Sequence, residues 1–202
     1  NQDALYSSHT TTTINRITDL STSYSVGSFS VTGMNSMASH LHVSPYTTTS
    51  TTLFIGCENG DVFKVVNADG AAPSATSIGA ALPAGNISCI EIGASEDELL
   101  VTLSNYGLNS VWYTNNGGTT WSSKEGNLPD MPVRWALFNP NDKTEAILAT
   151  EVGIWTTSNL NAAAPTWNPS NSGLANVRVD MLQIRESDDM VIAATHGRGL
   201  FE

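Results

Sequence analysis

Three ionisable side chains each follow directly on an apolar run: Glu58 in LFIGCENG, Glu151 in ILATEVG and His196 in IAATHGRG. Two carboxylates and an imidazole on one rim would offer hydrogen bonds to a sugar's hydroxyls or a peptide backbone. Two acids across a cleft are also the minimum for glycoside hydrolysis, provided the surroundings raise the pKa of one. Glu58 and Glu151, with Asp130 as a third acid, are the candidates for that chemistry. Asn59, Asn105, Tyr106 in SNYGLNS and Arg198 in HGRG extend the same rim, with Tyr106 placed to stack on a sugar ring. Each has a plainer explanation in turn chemistry: a polar side chain capping its own loop, or glycines relieving strain around His196 rather than an anion nest with Arg198. Trp135 in VRWALF is the other aromatic that could stack on sugar, and core packing is the preferred reading for it. His40 and His42 alternate along one run without a third ligand, so no metal site is expected. Asp61, Asp69, Asp97 and Asp142 fall in turns, where solvation is the default and calcium the weaker alternative.

Composition bounds what such a rim can serve. The chain has 202 residues, 40% hydrophobic and only 13% charged, so a real core must be covered by hydroxyl and amide groups. The net charge is −11 and the eight Lys and Arg are scattered, which argues against nucleic acid and anionic membranes as partners. No apolar run approaches the roughly 18 residues that span a bilayer. The start NQDALYSSH lacks the order of a signal peptide, so mature or excised material is expected. Low lysine and abundant serine and threonine suggest an extracellular or cell-surface location. Cys57 and Cys89 sit inside apolar runs without CxxC spacing, favouring buried free thiols over a disulfide.

The elements that position these residues read as strands throughout. Short runs of Val, Ile, Leu, Thr and aromatics recur between Gly, Asn, Pro and Asp, and no long segment has a helical period. An aromatic recurs at Phe63, Trp112, Trp155 and Phe201, at intervals of 49, 43 and 46 residues. A period in the forties built of about four strands marks a propeller blade. The expected fold is an all-β propeller of about four four-stranded blades, a partial ring or a small closed one. The whole chain forms one such segment: a blade end at 1–20, a linker at 21–36, blades at 38–84, 87–127 and 132–172, and a partial blade at 177–202. Residues 3–19 either complete the last blade by pairing with 190–201, or the chain is part of a larger propeller or of a homodimer that completes the ring.

TNNGGTTW (114–121) matches the pattern SxDxGxxW, with Thr114 for serine, Asn116 in the aspartate position, Gly118, and Trp121 packing on the turn. In such a turn a side-chain oxygen accepts backbone N–H bonds across the hairpin and glycine supplies a positive φ. Weaker copies stand at 157–167, with three extra residues in the turn, and at 7–14.

On these residues the chain resembles the Asp-box (BNR-repeat) propellers, a group that includes sialidases, xyloglucanase-like hydrolases and sortilin-like receptors. The tail VIAATHGRGLFE is similar to endings of secreted bacterial members. The resemblance covers most of 87–202 and implies fold far more than activity, since such turns staple scaffolds of enzymes and binding proteins alike. Sialidase chemistry needs three converging arginines, a tyrosine nucleophile and an Arg-Ile-Pro signature. Arg134 and Arg178 open successive innermost strands, but no complete set is present. The hydrolases' acids belong to two large propellers, and this chain is too short for both. The resemblance therefore implies a non-catalytic segment that binds polysaccharide or protein on one loop face without a cofactor, with a hydrolase fragment as the alternative.

Overall fold

The computed structural model describes residues 4–174, 176–185 and 187–202. The first three residues of the expected blade end lie outside the described residues. The chain divides into two compact units, Asn1–Ile90 and Glu91–Glu202. The first contains β1 (Ala4–Ser8), β2 (Thr13–Thr18), β3 (Ser25–Ser30), β4 (Ala38–Val43), β5 (Leu53–Cys57), β6 (Val62–Val66) and β7 (Ser74–Ser77). The unit boundary falls inside β8 (Ile87–Ile92). The second holds β9 (Leu99–Leu103), β10 (Val111–Thr114), β11 (Ser122–Ser123), β12 (Val133–Phe138), β13 (Ala146–Thr150), β14 (Gly153–Thr157) and β15 (Asn168–Pro169). It ends with β16 (Val179–Arg185), β17 (Met190–Thr195) and β18 (Gly199–Phe201). Among the described residues there is no helix.

Five sheets result, ordered β1-β2-β3, β4-β5-β6-β7, β11-β10-β9-β8, β12-β13-β14-β15 and β16-β17-β18. Each follows sequence order, as expected when short polar turns join strands too brief to reach a distant partner. β5 and β9 are buried along their whole length, which is why they read as continuous apolar runs rather than alternating ones.

The aromatic repeat appears as a repeated row of strand partners. Leu41 faces Ile55 and Ile55 faces Phe63; Val101 faces Trp112; Ala136 faces Leu148 and Leu148 faces Trp155; Leu182 faces Ala193 and Ala193 faces Phe201. Each aromatic thus stands at the same rung of its third strand. In the first unit the buried cluster gathers Ile14, Phe29, Leu53, Ile55, Phe63 and Val65, with Tyr6 edge-on to Phe29 at 6.4 Å. In the second, one cluster surrounds Trp167 with Leu100, Val111, Phe138, Ala146 and Leu148, and another joins Leu137, Ala149, Leu174, Val179 and Leu182. Burial of each Val, Leu, Ile or Phe side chain among them contributes roughly 1.5–3 kcal/mol.

One expectation is corrected, and one of two alternatives for the N-terminal hairpin is removed. Residues 21–36, read as a linker, contain β3, whose alternating Ser25–Ser30 run pairs with β2 over six partners and buries only Phe29. The hairpin of residues 4–18 pairs with β3 in its own sheet rather than with β17–β18. β1 also packs beside β4 as β9 does beside β12 and β13 beside β16, so the first sheet supplies the second, third and fourth strands of a blade. The turn at 7–14, expected as a weak copy of the 114–121 turn, therefore joins the second and third strands of its blade rather than the third and fourth. Hydroxyl-rich hairpins resemble one another, and the third strand that distinguishes them is mostly serine, glycine and exposed valine.

Candidate functional site

The same backbone irregularity recurs at the start of the first strand in three sheets. Pairing slips by one residue between Ala38 and His40, between Val133 and Trp135, and between Val179 and Met181. The extra residues Ser39, Arg134 and Asp180 are thus bulges at the start of each first strand. Such bulges re-aim one side chain out of the ladder's alternation. At the same end, the residue closing each second strand donates its N–H to the carbonyl two positions before the bulge. Glu58 bonds Met37 at 3.1 Å, Glu151 bonds Pro132 at 3.1 Å, and His196 bonds Arg178 at 2.9 Å. Glu58, Glu151 and His196 therefore hold equivalent places in their sheets.

In the second unit this geometry assembles two guanidinium–carboxylate pairs with an imidazole beside one of them. Arg134 directs Nη2 and Nε at one oxygen of Glu151, at 2.6 and 3.2 Å. Arg178 Nε lies 2.5 Å from Asp180 Oδ1, and His196 Nδ1 lies 3.4 Å from the other oxygen. The hydrogen bond to Asp180 holds the Arg178 guanidinium above its usual range, with the charges of Asp180 and of Glu151 on the neighbouring sheet adding to it. The side chains are 26% and 29% exposed for Arg134 and Glu151, and 35% and 37% for Arg178 and Asp180. They are therefore organised by partners yet reachable by a ligand. Sequence reading missed Asp180, because VRVDMLQI looks like plain alternation until the bulge is known; Arg134 and Arg178 were considered only as sialidase arginines.

The remaining rim residues divide. Glu151 does not cap its own turn: Thr150 Oγ1 does so, donating to Gly153 O at 2.8 Å. The turn at His196 repeats this, with Thr195 Oγ1 donating to Gly199 O at 2.7 Å. Gly197 and Gly199 both adopt φ of +84°, so they make the tight turn, and Arg198 projects from it exposed. In the first unit Glu58 is exposed, whereas Asn59 caps its own turn, its Oδ1 accepting the Asp61 N–H at 3.1 Å. The Asn105 carbonyl accepts a bond from Ser110 Oγ at 3.4 Å. Tyr106 is 64% exposed, on a loop anchored by the Gly107 N–H to Asp130 Oδ1 at 2.7 Å, so Asp130 is a loop anchor.

The turn at 114–121 is held by Asn116 Oδ1, which accepts from Thr114 Oγ1 at 2.9 Å and from the Thr120 N–H at 2.9 Å. Gly118, with φ of +83°, donates its N–H to Thr114 Oγ1 at 3.1 Å. The turn at 157–167 repeats the scheme: Asn159 Oδ1 accepts from Thr157 Oγ1 at 2.8 Å and from the Thr166 N–H at 2.9 Å. Their tryptophans differ in burial. Trp121 is half-buried, while Trp167 is 1% exposed and its indole N–H reaches Lys124 O at 2.9 Å.

Other titratable groups lie in the scaffold. Burial lowers His40 to about 4 and lowers His42, whose Nδ1 is 2.7 Å from Ile90 O. Burial raises Glu91 to about 7, against the opposing pull of Lys143 and the Phe138 N–H. Cys57 and Cys89 are buried free thiols, and burial pushes Cys57 up to about 12. Among the described residues no group of three His, Cys, Asp or Glu is placed to hold a metal ion.

No family model and no curated protein sequence matches the chain. Solved structures do. The crystal structure of Chaetomium thermophilum Raptor has a TM-score of 0.71 at 14% identity, over 96% of this chain and 18% of that one. The crystal structure of the GH74 xyloglucanase from Xanthomonas campestris has a TM-score of 0.66 at 13% identity, over 98% of this chain and 34% of that one. The chain spans less than a fifth of the first protein and about a third of the second. At such identities the likeness speaks to fold alone. Antiparallel sheets in sequence order, one aromatic rung repeated through them, and these two likenesses together give the chain a β-propeller fold.

Proposed function

We propose that the chain is a non-catalytic binding segment of a secreted Asp-box propeller protein, which recognises polysaccharide through the strand-end face of its second unit. The observation that carries this reading is the two pairs Arg134–Glu151 and Arg178–Asp180, the second with His196 beside it. Planar groups fixed by one another but still partly exposed present donors and acceptors without losing much side-chain entropy on binding. That suits the paired hydroxyls of a sugar. Both carboxylates of the face are already engaged by guanidinium groups, an arrangement for holding rather than for proton transfer. Tyr106 offers a stacking surface on the same unit, and Arg198 an unburied cation. Further blades or a second copy would complete the ring.

The fold shared with a xyloglucanase supports a second reading, a fragment of a glycoside hydrolase. A polysaccharide array with release of reducing ends measured in parallel separates the two. Binding without release, lost in Glu151→Ala and Asp180→Ala, is the expected result. Release would establish the hydrolase; absence of binding to any glycan would overturn both and turn attention to a protein ligand.

A further inference from the structure

Just past the fourth strand of three sheets, one backbone bond recurs. Ile78 N donates to Val62 O, Lys124 N to Val111 O and Ser170 N to Ile154 O, each at 2.8 Å. The side chains at this equivalent place differ: apolar in the sheet of β7, an ammonium in that of β11, a hydroxyl in that of β15. Ile78 and Lys124 are both buried. An apolar occupant in one sheet shows that the scaffold does not need a cation here, so Lys124 calls for a reason of its own.

Burying an ammonium is costly unless an anion meets its charge. Lys124, only 5% exposed, donates from Nζ to Ala162 O at 2.7 Å and stands 5.5 Å from the centre of the Tyr113 ring. A carbonyl and a ring face attract the cation without neutralising it, and the carbonyl uses one of three N–H donors. Among the described residues no carboxylate pairs with Lys124, and burial alone pulls its pKa down. Glu98, which shares Tyr113 with it, is taken up by the Tyr113 hydroxyl at 2.7 Å and the Ala94 N–H at 2.6 Å. Lys124 lines a depression of about 250 Å³ with Tyr113, Asn115, Thr120, Ser122 and Asn161. Asn115 and Asn161 are exposed, and neither side-chain amide bonds another described residue. Asn161 and Ala162 both belong to the stretch that makes the 157–167 turn longer than the 114–121 turn. These turns lie at the end of the strands opposite Glu151: Thr157 pairs with Ala146 at the start of β13, whereas Glu151 follows the last residue of that strand.

We propose that this depression binds a hexuronic acid unit, Lys124 Nζ holding its carboxylate and the Asn115 and Asn161 amides its ring hydroxyls. Bonds from an ammonium to a carboxylate are about twice as strong as neutral ones, and amides that both donate and accept suit sugar hydroxyls. The volume falls below the range of about 300–1,000 Å³ usual for drug-sized ligands, so the occupant is a single sugar unit. The net charge of −11 acts against any anion at long range; selectivity therefore comes from close contact in a partly buried place, which salt screens least. The inference does not rest on the reading of the strand-end face, since the ligand class follows from Lys124 and the two amides.

The test titrates sodium D-glucuronate into the isotopically labelled 202-residue chain at physiological ionic strength and follows backbone amide shifts, with sodium acetate and D-glucose as controls. Saturable changes are expected at Asn115, Lys124, Asn161 and Ala162, weaker binding for acetate, and none for glucose. Lys124→Ile, which installs the residue found at the equivalent place in the sheet of β7, weakens glucuronate binding about tenfold or more, the loss expected for a bond to a charged group. Asn161→Ala, at an exposed amide, weakens glucuronate but leaves acetate unchanged, so it reports on recognition whether or not Lys124→Ile disturbs packing. Glu151→Ala leaves glucuronate binding intact, which separates this site from the strand-end face. No saturable change with glucuronate, an equal response to acetate, indifference to both Lys124→Ile and Asn161→Ala, or loss of binding in Glu151→Ala would overturn the proposal.

Discussion

Glu91→Gln isolates the electrostatic cost of one buried carboxyl. Glu91 sits in β8 with a carboxyl raised from 4.5 to about 7, chiefly because burial disfavours the charged form. In the unfolded chain the group loses its proton near 4.5, so between 4.5 and 7 the folded state binds more protons than the unfolded one. Stability therefore falls as pH rises through this window and levels off above it. The size is about 3 kcal/mol, from the shift multiplied by roughly 1.4 kcal/mol per pH unit. Glutamine keeps an oxygen for the Phe138 N–H and never ionises. All five tryptophans lie in the second unit with Glu91, so their fluorescence in urea reports the relevant unfolding. The wild type should lose stability from pH 5 to pH 8 relative to the variant, and the variant should be the more stable at pH 8. Taking the difference cancels His40, which runs the opposite way: its folded form resists protonation, so its contribution grows as pH rises from about 4 to 6.5. Parallel pH profiles for the two proteins would refute the reasoning.

Three further outcomes are expected. Trp167→Ala, which empties a fully buried site and strands the Lys124 carbonyl, should cost about 3–5 kcal/mol, whereas Trp121→Ala at a half-buried site costs clearly less; equal losses in urea unfolding would contradict the burial difference. Asn116→Ala should cost about 1 kcal/mol through the bond to the Thr120 N–H, while Asn116→Asp keeps that acceptor and strengthens it by charge; the order of thermal midpoints checks this. Cys57 and Cys89 should resist a water-soluble disulfide reagent in the folded protein and react after denaturation, and rapid labelling of the native chain would show that the apolar runs around them open.

Much of the architecture was legible because it repeats. The aromatic at Phe63, Trp112, Trp155 and Phe201 marks one rung of a strand ladder, and a position packed alike in every sheet leaves a period in the chain. β3 was illegible for the converse reason: SVGSFS buries a single side chain, and its strand identity comes from six partners in β2. At the candidate site, Glu151 and His196 could be found from their place after an apolar run, but their partners could not. Arg134 and Asp180 are brought to them by bulges, and a one-residue slip in pairing leaves no mark in strand alternation. Trp167 was legible as a degenerate copy of the 114–121 turn, yet its burial depends on Asn127 and Lys124, some forty residues away in sequence.

The central functional claim is that the strand-end face of the second unit receives the ligand. Backbone amide shifts of the isotopically labelled chain, followed while a polysaccharide that binds it is titrated in, test this directly. The account predicts saturable changes concentrated at Glu151, Val152, Asp180 and His196, abolished by Arg134→Ala. Changes confined to the turns around Asn141 and Asp189, at the opposite end of the same strands, would contradict it.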